Sequence, residues 1–229
     1  EHAKIRQSKE DLMAIYQELT FSDARDADLK RENANIDANT SMGTMLKYGS
    51  EGSNYFVNNY ILPKDMAGAH IHGDIHIHDK DFYMLTETCC QINLEKLFKD
   101  GFSTGHGYLR QPNSIQSYSA LACIAIQANQ NEMHGGQSVP NFDYYMAPGV
   151  AKTYAKEYET ALALYCEATG CSADDTRARD FAEKTAWQRT DRQTYQAMEA
   201  LIHNLNTMNS RAGAQVPFSS LNYGTDTSR

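Results

Sequence analysis

No run of about 18 consecutive apolar residues occurs in this sequence, so no membrane-spanning helix is expected. A basic stretch followed by an apolar one is also missing, and no secretory leader is expected in these residues. The 21 Lys and Arg form no cluster and are outnumbered by 29 Asp and Glu, for a formal charge of -8. Nucleic-acid binding rests on neutralising phosphates, so that balance argues against such a partner. No block of like charge is long enough to stay solvated, and hydrophobic residues make up 41% of the chain, which predicts a globular protein. The five cysteines contain no Cys-x-x-Cys, and the adjacent pair Cys89-Cys90 could hardly be joined without strain. An odd, unpaired set points to a reducing compartment and a cytoplasmic location. It gives no support for a four-thiolate zinc site, and no metal site is assigned. Neither glycine fingerprint of nucleotide-binding loops, G-x-x-x-x-G-K-[ST] or G-x-G-x-x-G, is present.

What is present reads as one substantial core, or one and a half domains at roughly 100 to 200 residues each. Ile5, Leu12, Ile15, Tyr16 and Leu19 fall on one helical stripe, followed by a polar connector or surface helix over residues 23–39. A second apolar segment, residues 42–62, is closed by Pro63. Apolar and polar residues alternate from Asp74 to Asp79, which predicts a strand with His76 and His78 on one face. Residues 89–94 predict a second short strand and residues 101–112 a glycine-rich loop. Ser114 is read as the cap of a helix reaching about Asn131, with Ile115, Tyr118, Leu121, Ala122 and Ala125 inward and Gly135-Gly136 beyond its end. Long helices are expected over residues 151–169, with Tyr154, Tyr158, Leu162 and Tyr165 inward, and 174–208, with Phe181, Tyr195, Met198, Leu201, Ile202 and Leu205 inward, and a strand over residues 216–223. Strands alternating with long helices predict an α/β architecture. The sequence opens at Glu1 and stops at Arg229 just after a strand-like run, so we expect a piece of a longer protein.

Three groups of residues could carry chemistry. His70, His72, His76 and His78 are half of the eight histidines. Imidazoles two apart on a strand face could share a Zn²⁺ or Fe²⁺, could be polar strand-end residues hydrogen-bonded to backbone and to Asp74 and Asp79, or could hold a small anion or pass protons. Cys89 and Cys90 would point to opposite faces of a strand, one into a site and the other into packing. A working thiol there is either a thiolate nucleophile, which wants a nearby base, or a neutral hydrogen-atom donor. Gly135-Gly136, the loop at residues 101–107 and the helix start at Ser114 could offer backbone N–H groups to phosphate, or could simply be turns and a cap.

The ordered series Glu32-Asn33-Ala34-Asn35, Leu62-Pro63-Lys64-Asp65, Ala69-His70, Gly73-Asp74-Ile75-His76-Ile77-His78-Asp79, Cys89-Cys90-Gln91-Ile92-Asn93-Leu94, Ser114-Ile115, Gly135-Gly136 and Val216-Pro217-Phe218 resembles the anaerobic, class III ribonucleotide reductase large subunit, from about residue 32 onward. The resemblance implies the first part of a ten-stranded α/β barrel with long helices, incomplete in this chain. Residues 1–31 would be an N-terminal helix and connector, a possible join to an upstream ATP-cone, and residues 32–229 the N-terminal part of the barrel domain.

It further implies a homodimer that reduces ribonucleoside triphosphates to deoxyribonucleotides by radical chemistry. In that family a radical-SAM iron–sulfur activase installs a glycyl radical, which generates a thiyl radical on a finger-loop cysteine. A second cysteine, on the first barrel strand, returns a hydrogen to the 2′ carbon, and formate commonly supplies the electrons. By this resemblance Cys89 is the second cysteine, His76 belongs to the formate site with His78 as alternate, and the helix from Ser114, with Gly135 and Gly136, is assigned to nucleotide effectors such as ATP or a deoxynucleotide. The family's finger-loop cysteine, zinc site and radical glycine have no match in this sequence, so the chain alone is expected to be inactive. A His-cluster metal-binding or metal-dependent hydrolytic protein is the alternative reading.

Overall fold

The computed structural model describes residues 12–21, 40–83, 86–209 and 215–224, which fall into two compact units. The first comprises the described residues within 1–87, 132–134 and 209–216, and the second those within 88–131, 135–208 and 217–229. Ile5 and the connector over residues 23–39 lie outside the described residues.

In the first unit, helix α1 (Leu12–Phe21) buries Ile15 and Leu19 beside Tyr16 and Tyr48. Tyr16 meets the Tyr48 ring edge-on at 5.0 Å and donates its hydroxyl to the Tyr48 carbonyl at 3.2 Å. Helix α2 (Ser41–Phe56) starts at Thr40, whose hydroxyl oxygen accepts the Gly43 N–H at 3.0 Å. A π-helical turn, Val57–Ile61, ends that apolar segment, and Pro63 opens helix α3 (Lys64–His72). Proline suits such a start because it has no N–H to leave unpaired.

The strand expected at the histidines is absent. His70 and His72 lie in the last turn of α3, and Gly73 closes it in the left-handed conformation at φ +83°. Residues 74–79 fold back on the helix end, where Asp74 N–H and Ile75 N–H donate to the Ala69 carbonyl and Ile77 N–H donates to His70 Nδ1. The period-two pattern is real, but the backbone groups a ladder would need are engaged locally by the glycine cap. A 3-10 turn, Lys80–Phe82, is then tied to α2 and its π turn by Ser50 to Asp81 Oδ2, Ser53 to the Asp81 carbonyl and Lys80 to Asn58, each at 2.6 Å.

The second unit is mixed α/β and mostly helical. Strands β1 (Cys90–Gln91), β4 (Gln137–Val139) and β5 (Ser219–Leu221) form a parallel sheet in the order β1-β4-β5. Parallel neighbours need long crossovers. The first runs through α4 (Leu94–Asp100), the hairpin β2 (Phe102–Ser103) with β3 (Tyr108–Leu109), and α5 (Ile115–Asn129). The second runs through α6 (Phe142–Thr169) and α7 (Thr176–Thr207). The predicted strand over residues 89–94 is cut short because Asn93 caps α4, accepting the Lys96 N–H at 3.0 Å. The glycine-rich loop contains a hairpin that the turn signals hid.

Helix α5 begins at Ser114 as expected and buries Ile115, Tyr118, Ala122 and Ala125, with Leu121 partly buried. Helix α6 starts nine residues earlier than predicted and carries Pro148 within it. A β-carbon on the next residue, Gly149, would lie 2.8 Å from the Tyr118 ring, so α5 and α6 cross closely at this point. On α7, Leu201 and Leu205 are buried and Met198 partly buried as expected, but the rest of the inward stripe is made of small residues. Ala178, Ala182, Ala186, Thr190, Ala197, Leu201 and Leu205 are buried, whereas Phe181, Tyr195 and Ile202 are exposed. Small residues four apart let α7 lie close to its neighbours. Ser119 of α5, for example, donates to the Ala197 carbonyl at 2.8 Å.

Candidate active site

The sheet of the second unit sorts its side chains by alternation. In register, Cys90 pairs with Gln137 and that with Ser219, while Gln91 pairs with Ser138 and that with Ser220. Cys90, Val139 and Leu221 pack against the helical core. Cys89, Gln91, Gly136, Ser138, Phe218 and Ser220 line an open cavity of about 410 Å³, whose lining also includes Cys90, Gln137 and Ser219. The two adjacent cysteines are thereby divided: the Cys90 sulfur accepts a hydrogen bond from Asn129 Nδ2 at 2.9 Å, and Cys89 is exposed to the cavity. Among the described residues no hydrogen bond reaches the Cys89 sulfur, so no base is in place to make it a thiolate.

Gly135 and Gly136 shape this face by their lack of side chain. A β-carbon on Gly135 would collide with the Thr88 carbonyl oxygen and stand 2.7 Å from Cys89 Sγ. One on Gly136 would lie 3.1 Å from the Phe218 ring. Both glycines therefore permit close approach of neighbouring chain segments. Gln137 fixes β4 from the core side, donating Nε2–H to the Ile126 carbonyl and accepting from Asn129, both at 2.8 Å.

Ser114 is engaged in a capping box. Its hydroxyl oxygen accepts the Ser117 N–H at 3.3 Å, and Ser117 Oγ accepts the N–H groups of Ser114 and Asn113, each at 3.0 Å. The next donor, Ile115 N–H, is held by the buried Thr153 hydroxyl at 2.9 Å. The helix start is thus satisfied by its own surroundings.

In the first unit the imidazoles follow one another, with ring centres 5.9 Å apart from His70 to His76 and 5.7 Å from His76 to His78. His78 Nε2 is 3.4 Å from Asp79 Oδ2, and Asp79 itself adopts a left-handed backbone at φ +48°. A residue missed by sequence reasoning completes this group. His134, only 5% exposed, stacks flat on Phe82 at 4.1 Å, and its Nε2 faces Asp79 Oδ2 at 3.6 Å, an electrostatic neighbour beyond hydrogen-bond reach. Its Nδ1 is 3.3 Å from Thr86 Oγ1. The Asp79 carboxylate so lies beside two imidazoles. The only sequence signal was that His134 precedes the glycine pair. Among the described residues no group of three or more His, Cys, Asp or Glu side chains is placed to hold a metal ion. No described helix is long and apolar enough to cross a membrane.

The second unit is thus an α/β arrangement in which a small parallel sheet has helices on one face and an exposed thiol at the other. The chain belongs to the anaerobic ribonucleoside-triphosphate reductase family, whose model matches residues 32–229. It is 29% identical over 202 residues to the anaerobic ribonucleoside-triphosphate reductase of Salmonella typhimurium, covering 87% of this chain and 26% of that protein. It is 28% identical over 204 residues to the Escherichia coli reductase, covering 88% and 27%, and 28% identical over 202 residues to that of Enterobacteria phage T4, covering 87% and 31%. The chain therefore spans about a quarter to a third of the length of the curated relatives it matches.

Proposed function

We propose that this chain supplies the hydrogen-donating thiol of an anaerobic reductase that converts ribonucleoside triphosphates to 2′-deoxyribonucleotides, and that Cys89 is the donor. The observation that carries this reading is the difference between the two cysteines at a cavity both line: Cys90 is partly buried against the core and held by Asn129, whereas Cys89 is exposed beside Gly136, Ser138 and Ser220. Small polar side chains suit a sugar ring better than an apolar ligand. A hydrogen-atom donor must keep its proton until the transfer, and a sulfur without a basic neighbour does so. Cys89 gives its hydrogen atom to the 2′ carbon after water has left, and a sulfur-centred radical remains for the reductant to repair.

In this reading the three parallel strands begin a ten-stranded α/β barrel. Formate is the reductant, held by His76 with His78 as alternate, and Asp79 with His134 keeps those imidazoles oriented. The radical is a glycyl radical set by a radical-SAM iron–sulfur activase, and the working assembly is a homodimer. An effector nucleotide lies beside α5, where Ser114 acts by fixing the helix start. In this reading the family's zinc site is not built from these cysteines: Cys123 is buried in α5, where burial pushes its thiol up, and Cys166 and Cys171 are a pair. No step runs through zinc.

A thiol exchanges its proton with solvent, which gives a direct test. In the intact protein turning over in D₂O, deuterium should appear at the 2′ carbon of the product. Product carrying only protium at that carbon would rule out a solvent-exchangeable donor and with it Cys89.

A further inference from the structure

The sulfurs of Cys166 and Cys171 lie 3.6 Å apart, in van der Waals contact, across the end of α6. The chain is shaped to bring them together. Gly170 takes the left-handed conformation at φ +70° and returns its N–H to the Cys166 carbonyl at 2.8 Å, so the next residue folds back over the last turn of the helix. Both thiols are free and partly exposed. The segment after them is also fixed: Asp175 caps α7, accepting the Arg177 N–H at 2.9 Å and pairing with its guanidinium at 3.1 Å. Tyr165 and Phe181 rest against each other at 4.9 Å across the same turn.

From this geometry we propose that Cys166 and Cys171 are a redox-active dithiol, which a peroxide or a small disulfide closes to an intrachain disulfide that staples the α6–α7 turn. The assignment is independent of the reading of Cys89. The two thiols differ in surroundings. Burial, together with the hydrogen bond from Cys171, pushes the Cys166 thiol up, which keeps that sulfur protonated. Arg177, paired with the Asp175 carboxylate, opens the next helix beyond Cys171.

With hydrogen peroxide, the thiolate of one cysteine of the pair attacks one oxygen, the O–O bond breaks, and hydroxide leaves and takes a proton to become water. The sulfenic acid so formed is attacked by the other sulfur; the S–S bond forms, the S–O bond breaks and a second water leaves. Two thiols lose two electrons and two protons, and the peroxide is reduced to two waters.

The test reads one peptide. No Lys or Arg lies between residues 157 and 176, so trypsin releases residues 157–177 with both cysteines. After stoichiometric peroxide on the folded, intact protein, that peptide should be recovered two hydrogens lighter and closed to alkylation, while the peptide carrying Cys123 still alkylates. Phenylarsine oxide, which bridges neighbouring thiols, should protect the same peptide from alkylation without any oxidant. Cys166→Ser and Cys171→Ser should each abolish both results. A singly oxidised peptide with its second thiol still alkylatable, or arsenical protection that survives either substitution, would overturn the proposal. Should a variant fail to fold, arsenical protection of the wild-type chain decides alone: protection of residues 157–177 supports the pair, and its absence refutes it.

Discussion

A β-carbon on Gly135 would stand 2.7 Å from the sulfur of Cys89. The thiol and the glycine thus belong to one close approach of two chain segments, and the Thr88 carbonyl oxygen lies in the same path. Gly135→Ala should push residues 88 and 89 away and cost about 1–3 kcal/mol of stability, the usual range for overpacking. Gly136→Ala meets only the edge of the Phe218 ring at 3.1 Å and should cost less. Urea unfolding of the two variants side by side checks the order, and equal losses would contradict this account of the glycines.

The start of α5 gives a second prediction. Ser114→Ala removes the oxygen that accepts the Ser117 N–H and should cost about 1 kcal/mol, as cap losses do. Thr153→Val leaves the buried Ile115 N–H without its acceptor and should cost about 1–3 kcal/mol. Thermal melts of both should show the valine variant at least as destabilised as the alanine one. If the Ser114→Ala melt matches wild type, the capping box contributes nothing to stability.

A third prediction concerns acid. The hydrogen bond from the Arg177 side chain, then that from its backbone, holds the Asp175 carboxyl below the usual carboxylate range. A group with a depressed folded pKa stabilises fully above its unfolded value, about 3.9, and loses that contribution as pH falls through the folded value. The first turn of α7 should therefore hold at neutral pH and weaken below about pH 4. Asp175→Asn keeps a capping oxygen but cannot titrate, so its stability should vary less with pH over that acid window. Identical acid profiles for the two proteins would contradict the assignment.

Much of the second unit was legible in the sequence because its signals are local. Ser114 announced a helix start, helical periodicity marked two long helices over residues 151–169 and 174–208, and the adjacency of Cys89 and Cys90 required opposite faces once one of them entered a strand. The failures also have physical causes. At the histidines, a period-two pattern five residues long was outweighed by Gly73, whose left-handed cap closes a helix and turns the chain back. On α7, Leu201 and Leu205 were read correctly, but Phe181, Tyr195 and Ile202 lie outside because close helix packing selects alanine. His134 was missed because its partner Asp79 is more than fifty residues away in sequence, and no local pattern encodes such a meeting.

The central claim is tested most directly by deoxyribonucleotide formation in the intact protein with Cys89→Ser and Cys90→Ser compared. The account predicts that Cys89→Ser loses at least about a thousandfold in turnover while folding and radical content are kept. Cys90→Ser, whose sulfur packs and accepts from Asn129, should lose stability and retain chemistry. Turnover retained by Cys89→Ser and abolished in a folded Cys90→Ser would contradict it, because the hydrogen would then come from the sulfur on the core side of the sheet.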